Sequence, residues 1–210
     1  MKIIDPSVEL INPAPYHLAL NTIETAGRTC YQSEDKMTAG SAEDFIRRII
    51  KRGHESVLEH VSITARFICD RGVSHEIVRH RIGAYSQEST RYCNYAGDKF
   101  GNEITVIEPC YLVPGTGNYV IWSDACEMAE AYYFRLLSGN TPPTTPQEAR
   151  AVLPNSLKTT IVVTYDIREW RHFFRLRCAP TAHPQMRQVA FMARDLLAER
   201  YPVFFEDLGV

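Results

Sequence analysis

The chain has 210 residues, 45% of them apolar, with a formal net charge of −2 and six cysteines scattered without a C-x-x-C pair. One domain is the better expectation at this length, and the single cysteines read as reduced thiols, which excludes a disulfide framework. Neither a run of about 18 apolar residues nor a signal-peptide pattern after Met1-Lys2-Ile3-Ile4-Asp5-Pro6 is present, so we expect a cytoplasmic chain that does not cross a membrane.

In chain order, Val8-Glu9-Leu10-Ile11 reads as a short strand ended by prolines. A helix is expected over about 16–27, stopping at Gly27. Ser41 or Thr38 would cap the next, whose stripe is Phe45, Ile46, Ile49 and Ile50. Val61 to Cys69 alternates as a strand. After Gly72, Ser74 would cap a short helix carrying Glu76 and Arg79-His80-Arg81 to about Gly83. Ile104–Ile107 is a strand, Val120 to Leu137 a long amphipathic helix, and 139–144 a linker of turn residues. Thr145-Pro146-Gln147-Glu148 opens a short capped helix. Ser156 to Tyr165 is the clearest strand, and helices over about 167–178 and 184–200 close the chain. Strands and helices intermix without β-α-β regularity, which favours an α+β or irregular α/β fold over a doubly wound one.

Charge is unevenly placed. Residues 71–91 carry four arginines against two glutamates, and 147–187 carry six arginines and Lys158 against three carboxylates. Cationic clusters in an acidic background suit a pocket for a small anion better than a nucleic-acid surface. Arg79, Arg81 and Arg91, with His80 and Ser89 between them, concentrate the planar donors that recognise phosphate. Ser89 is read as a donor to phosphate, because nothing nearby supplies the base a nucleophile needs.

From Ile167, residues Trp170, Phe173, Phe174 and Arg177 share one face. The aromatics must bury, so Arg177 either snorkels at the helix end or meets an anion. Arg168, His172 and Arg175 occupy the adjacent face. Glu55 and Glu59, four apart, would stack on a helix and read as a solvated edge. Cys110 reads as a small buried apolar residue. His54/His60 and His75/His80 lie roughly 120° and 140° apart on a helix, so no metal site is expected.

Arg79-His80-Arg81-x7-Ser89, continued as Arg91-Tyr92, resembles the signature of the flavin-dependent thymidylate synthases, the ThyX family. Gly53-His54-Glu55-Ser56 to Glu59-His60, Arg150-Ala151-Val152-Leu153-Pro154, Asp166-Ile167-Arg168, His172, Arg175-Leu176-Arg177 and Ala182-His183-Pro184-Gln185 follow in family order. The likeness spans about residues 28–200. It implies one domain over 1–210, mixing helices with an antiparallel sheet, in a homotetramer whose sites are shared between subunits. It implies reductive methylation of deoxyuridine monophosphate (dUMP) to dTMP. Methylenetetrahydrofolate would be the carbon donor, and FAD reduced by NADPH the hydride donor.

Carried over by position, Glu76, Ile77, Val78, Arg79, Gln87, Glu88, Ser89, Thr90, Arg91, Arg150 and Arg177 would bind dUMP. Ser56, Arg79, His80, Arg81, Gln87, Asp166, Ile167, Arg168 and His172 would bind FAD, with Arg177 catalytic. The chain departs from the family at Ala84 and Ser86, where some members have serine and asparagine, and at Asp166, where others have asparagine. Two other readings compete. One is a nucleotide or single-strand binding module that stacks bases on Tyr85, Tyr92 and Tyr95. The other is a family-shaped protein that kept FAD and lost turnover.

Overall fold

Alternate burial along Ser62–Asp70 and Lys158–Asp166 makes these the two longest strands, each with one face hidden. In the computed structural model, which describes residues 1–139, 142 and 144–209, they are β3 and β6. The other strands are β1 (Lys2–Ile4), β2 (Ser7–Ile11), β4 (Ala84–Gln87) and β5 (Thr105–Ile107). The helices are α1 (Tyr16–Thr29), α2 (Ser41–Lys51), α3 (Arg71–Ile77), α4 (Gly117–Ser138), α5 (Pro146–Ala149), α6 (Ile167–Arg177), α7 (Pro184–Arg200) and α8 (Pro202–Phe205). A 3-10 helix occupies Glu55–His60. None of the described helices is long and apolar enough to cross a membrane.

Four strands form one sheet in the order β2-β3-β6-β4. The Ile167 N–H donates to Val61 O, Thr64 and Thr164 pair through their hydroxyls, and Arg71 N donates to Leu157 O. Rising numbers on β3 thus meet falling numbers on β6, the antiparallel arrangement. A second, two-stranded sheet pairs β1 with β5 in parallel, Ile3 opposite Val106. That parallel pair lies outside the expected antiparallel sheet.

Contacts cluster into two compact units, neither a contiguous stretch. One comprises residues 1–7, 67–79 and 86–161, and its core gathers Tyr95, Ile104, Val106, Cys126, Tyr133, Ala149 and Leu157. The other comprises 8–66, 80–85 and 162–210. There Ile167, Trp170, Phe173 and Phe174 of α6 are buried, as are Phe204 and Phe205. Burying each such side chain stabilises by about 1.5–3 kcal/mol. The Trp170 indole N–H is not orphaned, because it donates to Ile63 O at 3.0 Å.

Several expectations need correction. Helix α1 does not stop at Gly27 but runs to Thr29, with Gly27 in a helical turn against the Phe45 ring, where a Cβ would collide. The residue serves close packing, not termination. Neither Thr38 nor Ser41 caps α2. Its cap is Gly40 at φ 90°, while the Ser41 hydroxyl bonds the buried Glu24 carboxylate. Asp70, not Ser74, caps α3, accepting from Val73 N at 2.7 Å, and the helix ends at Ile77. The Arg-His-Arg triplet therefore lies beyond the helix, in the connection to β4. A Cβ at Gly83 would strike the Tyr165 ring, so only glycine permits this passage.

Helix α4 is not cleanly amphipathic: Cys126 and Tyr133 are buried, but Val120, Ile121, Met128 and Tyr132 are exposed. Cys110 is exposed, because it sits in a turn closed by Leu112 N to Pro109 O. Of the expected linker, Asn140, Thr141 and Pro143 lie outside the described residues. The short helix after it has the expected Thr145–Glu148 capping box.

Arg171 is fully buried. Its guanidinium makes paired 2.7 Å bonds to Asp207 and also reaches Glu55 and the Phe204 carbonyl. Hydrogen bonding to Arg175 first, and to Arg171, holds Glu55 below its ordinary pKa; Arg171 does the same for Asp207. Groups depressed in the folded state contribute stability above their unfolded values, lost as pH falls through the folded ones. We expect Asp207→Ala to cost about 1–3 kcal/mol at neutral pH. Urea unfolding should show that gap narrowing below about pH 4.

Candidate active site

Asp166 ends β6 and caps α6, its carboxylate accepting from Glu169 N at 2.8 Å. This sets the phase of the helix. Glu169 and Arg177 then fall near one another along it, with His80 against both. His80 is buried, its Nδ1 lies 2.8 Å from Glu169 Oε1, and the Arg177 Nε–H donates to its Nε2 at 3.0 Å. The Phe173 ring stands edge-on to the imidazole, 4.9 Å between centroids. Burial first, then the neighbouring Arg177 charge, holds the His80 pKa below the usual imidazole value, against the opposing pull of Glu169.

Arg177 is thus half-buried, and its Nε–H is taken up by a ring nitrogen. His80, Glu169 and His172 bring possible metal-ligand atoms within 4.8 Å of one another. Both His80 nitrogens are already engaged, Nδ1 by Glu169 and Nε2 by Arg177, so a cation would have to replace one of these bonds.

Beside this group lies a cavity of about 400 Å³ walled by Glu55, Glu59, Ile82, Asp166, Arg168, Glu169, His172 and Arg175. Arg168 pairs with Glu59, and Arg175 with Glu55. Glu59 is exposed, as expected of a solvated edge, but Glu55 is largely shielded. They meet arginines of α6 and turn a site expected to be cationic into one where four carboxylates face two guanidiniums. Ser56 lines a neighbouring cavity of about 400 Å³ with Tyr31, Phe45, His54 and again Arg168. Arg81 is exposed, and Ile167 is buried, leaving only its backbone for a ligand.

The remaining expected residues sit in the other unit. Arg79, Arg91 and Arg150 are exposed. Arg150 Nη1 donates to the buried Thr90 hydroxyl at 3.1 Å, and Arg91 N–H donates to Ser89 Oγ at 3.3 Å. Glu76 and Val78 are half-buried and Ile77 fully so. Gln87 Nε2 donates to Ser74 Oγ at 2.8 Å and to Thr159 Oγ1 at 3.2 Å. The Ser74 proton is directed to Arg71 O, so Ser74 must accept, which sets the amide orientation. Glu88 is held by Lys158 at 2.7 Å and by Tyr95, so its carboxylate is committed internally.

The model of the "Thymidylate synthase complementing protein" family matches residues 15–203. The chain belongs to the flavin-dependent thymidylate synthase family. A Geobacter sulfurreducens flavin-dependent thymidylate synthase is 34% identical, covering 89% of this chain and 81% of its own. One from Mycobacterium tuberculosis is 35% identical over 90% and 79% respectively. Among solved structures, the UMP/dUMP methylase PolB of Streptomyces cacaoi, bound with 5-Br dUMP, superposes with a TM-score of 0.78 at 25% identity, covering 98% of this chain and 96% of its own.

Within that family frame, five cavity residues escaped sequence reasoning in this role: Glu55, Glu59, Ile82, Glu169 and Arg175. Glu169 had a signal, since Glu169, Phe173 and Arg177 recur at i, i+4 and i+8 on a helix. The glutamates of 55–60 had none, because their arginine partners are more than 100 positions away. Asp166→Ala should remove the cap of α6 and cost about 1 kcal/mol. Asp166→Asn, an equally good cap, should stay within a few tenths of wild type in urea melts.

Proposed function

We propose that residues 1–210 act as one catalytic domain, a thymidylate synthase that methylates dUMP reductively to dTMP. Methylenetetrahydrofolate donates the carbon, and FAD is recycled by NADPH. The observation that carries this reading is Arg177, held through Nε by His80 beside a polar cavity, in a chain of this family. The flavin-dependent name of the relatives and the 5-Br dUMP bound by PolB support the cofactor and substrate.

The cavity fits part of FAD. Its carboxylates suit N–H and O–H groups such as a flavin's ring N–H and ribityl hydroxyls, while Arg168 and Arg175 suit ring carbonyl oxygens. Ile82, 71% exposed, offers apolar surface to a ring. An acidic wall does not fit the diphosphate, for which the exposed Arg81 is the candidate. When bound, reduced FAD supplies the hydride.

The chain's own residues bind and polarise. Arg150, Arg91, Arg79 and Ser89 hold the dUMP phosphate, while Gln87, with its amide donors turned inward, presents an acceptor. Arg177 stabilises the negative charge that develops at uracil O4 and N3 as the ring is activated, without any proton transfer. A homotetramer with shared sites completes the reading, supported by the exposed apolar side chains of α4. The base-stacking alternative finds less support. Tyr95 is buried and the Tyr85 hydroxyl is tied to His80 O, leaving Tyr92 alone of the three exposed.

Purified protein should be yellow, bleach with NADPH faster when dUMP is added, and form dTMP once methylenetetrahydrofolate is supplied. Colourless protein that takes up no FAD would overturn the reading. Bleaching without dTMP would favour a flavoprotein that lost turnover. Arg177→Lys should keep the flavin but lose about 100-fold in kcat, because an ammonium cannot reproduce the planar donor pair. Arg150→Ala should instead raise the KM for dUMP about tenfold, the cost of one charged hydrogen bond. Sedimentation velocity should find four chains per particle.

A further inference from the structure

Arginine is a pure donor that stays protonated in proteins. With its Nε–H 3.0 Å from His80 Nε2, that imidazole nitrogen must carry a lone pair. The ring proton then sits on Nδ1, 2.8 Å from Glu169 Oε1, where a carboxylate accepts it. A doubly protonated ring would set N–H against N–H at Arg177, and the opposite tautomer would set lone pair against carboxylate at Glu169. Only the neutral Nδ1–H form satisfies both contacts. The charged or titratable groups facing this ring are Glu169, His172 and Arg177 from α6, with Tyr85 from β4 and Tyr165 from β6.

Glu169 borders the cavity, yet its side chain is turned to His80 and the residue is only 9% exposed. We propose that Glu169 is a positioning residue: it locks His80 in the Nδ1–H tautomer, and His80 in turn fixes the plane of the Arg177 guanidinium. Without the carboxylate, His80 is released to its other tautomer, whose Nε2–H repels Arg177 Nε–H and swings the guanidinium away. The arrangement follows the logic by which a carboxylate holds a histidine for its partner in hydrolase triads, applied here to an arginine electrophile. Its catalytic half rests on the proposed function, whereas its structural half does not.

The test joins a spectrum to kinetics. In ¹⁵N-histidine-labelled holoenzyme near pH 7.5, the His80 signal, assigned by its loss in His80→Gln, should show a protonated Nδ1 and a bare Nε2. Glu169→Ala should give mixed tautomers, and Glu169→Gln, whose amide oxygen still accepts, should keep Nδ1–H. In turnover at saturating FAD, Glu169→Ala should keep a dUMP KM within about threefold of wild type, while kcat per bound flavin falls about 10- to 100-fold. Glu169→Gln should recover most of that loss. A wild-type Nε2–H tautomer, or one unchanged in Glu169→Ala, would overturn the proposal. So would a kcat loss that merely tracks flavin content and Tm and is not rescued by glutamine. If wild type makes no dTMP, the functional reading fails, and the spectra alone decide whether Glu169 sets the tautomer.

Discussion

Helix α6 cannot hide Trp170, Phe173 and Phe174 without carrying Arg168, Arg171, Arg175 and Arg177 into the same neighbourhood. The apolar face fixes the roll of the helix, and the roll decides where four guanidiniums arrive. Each arrival needs compensation, since an unpaired charge in a poorly solvated place costs several kcal/mol. Much of the second unit can be understood as that compensation. Glu55 answers Arg171 and Arg175, Asp207 answers Arg171, Glu59 answers Arg168, and His80 answers Arg177.

These partners differ in kind, and the difference sorts structure from chemistry. Arg171 is fully buried, doubly bonded to Asp207, and holds the chain together. Arg168 and Arg175 are about half exposed and pair with Glu59 and Glu55 respectively. Arg177 meets the His80 imidazole through its Nε–H. A neutral imidazole orients the guanidinium without adding a negative charge of its own, which suits the role proposed for Arg177.

Long strands and helices were legible because their periodicity reports burial directly: β3, β6, α6 and α7 fall within two residues of their expected bounds. Short elements were not. Strand β1 has three residues and exists by pairing with β5, a partner roughly a hundred positions away. The four residues of β4 follow a triplet that looked helical until Asp70 claimed the cap. Among the candidate residues, the arginines stand out in the sequence by number, and Glu76, Gln87 and Asp166 only by their place in a motif. Glu55 and Glu59 kept their role hidden, because a carboxylate on a polar turn looks alike whether it faces water or a distant guanidinium. For Glu88, motif position suggested a ligand contact, and nothing local announced its ion pair with Lys158.

The Gln87 amide, with both hydroxyl neighbours accepting from its nitrogen, has a consequence for inhibitor chemistry. In the dUMP-binding role proposed for Gln87, its carbonyl oxygen is the atom left to meet the ligand, so complementary compounds should offer an N–H or O–H there. A compound presenting a keto or carboxylate oxygen at that spot would meet a lone pair that the side chain cannot turn away, and medicinal series should diverge on this one atom.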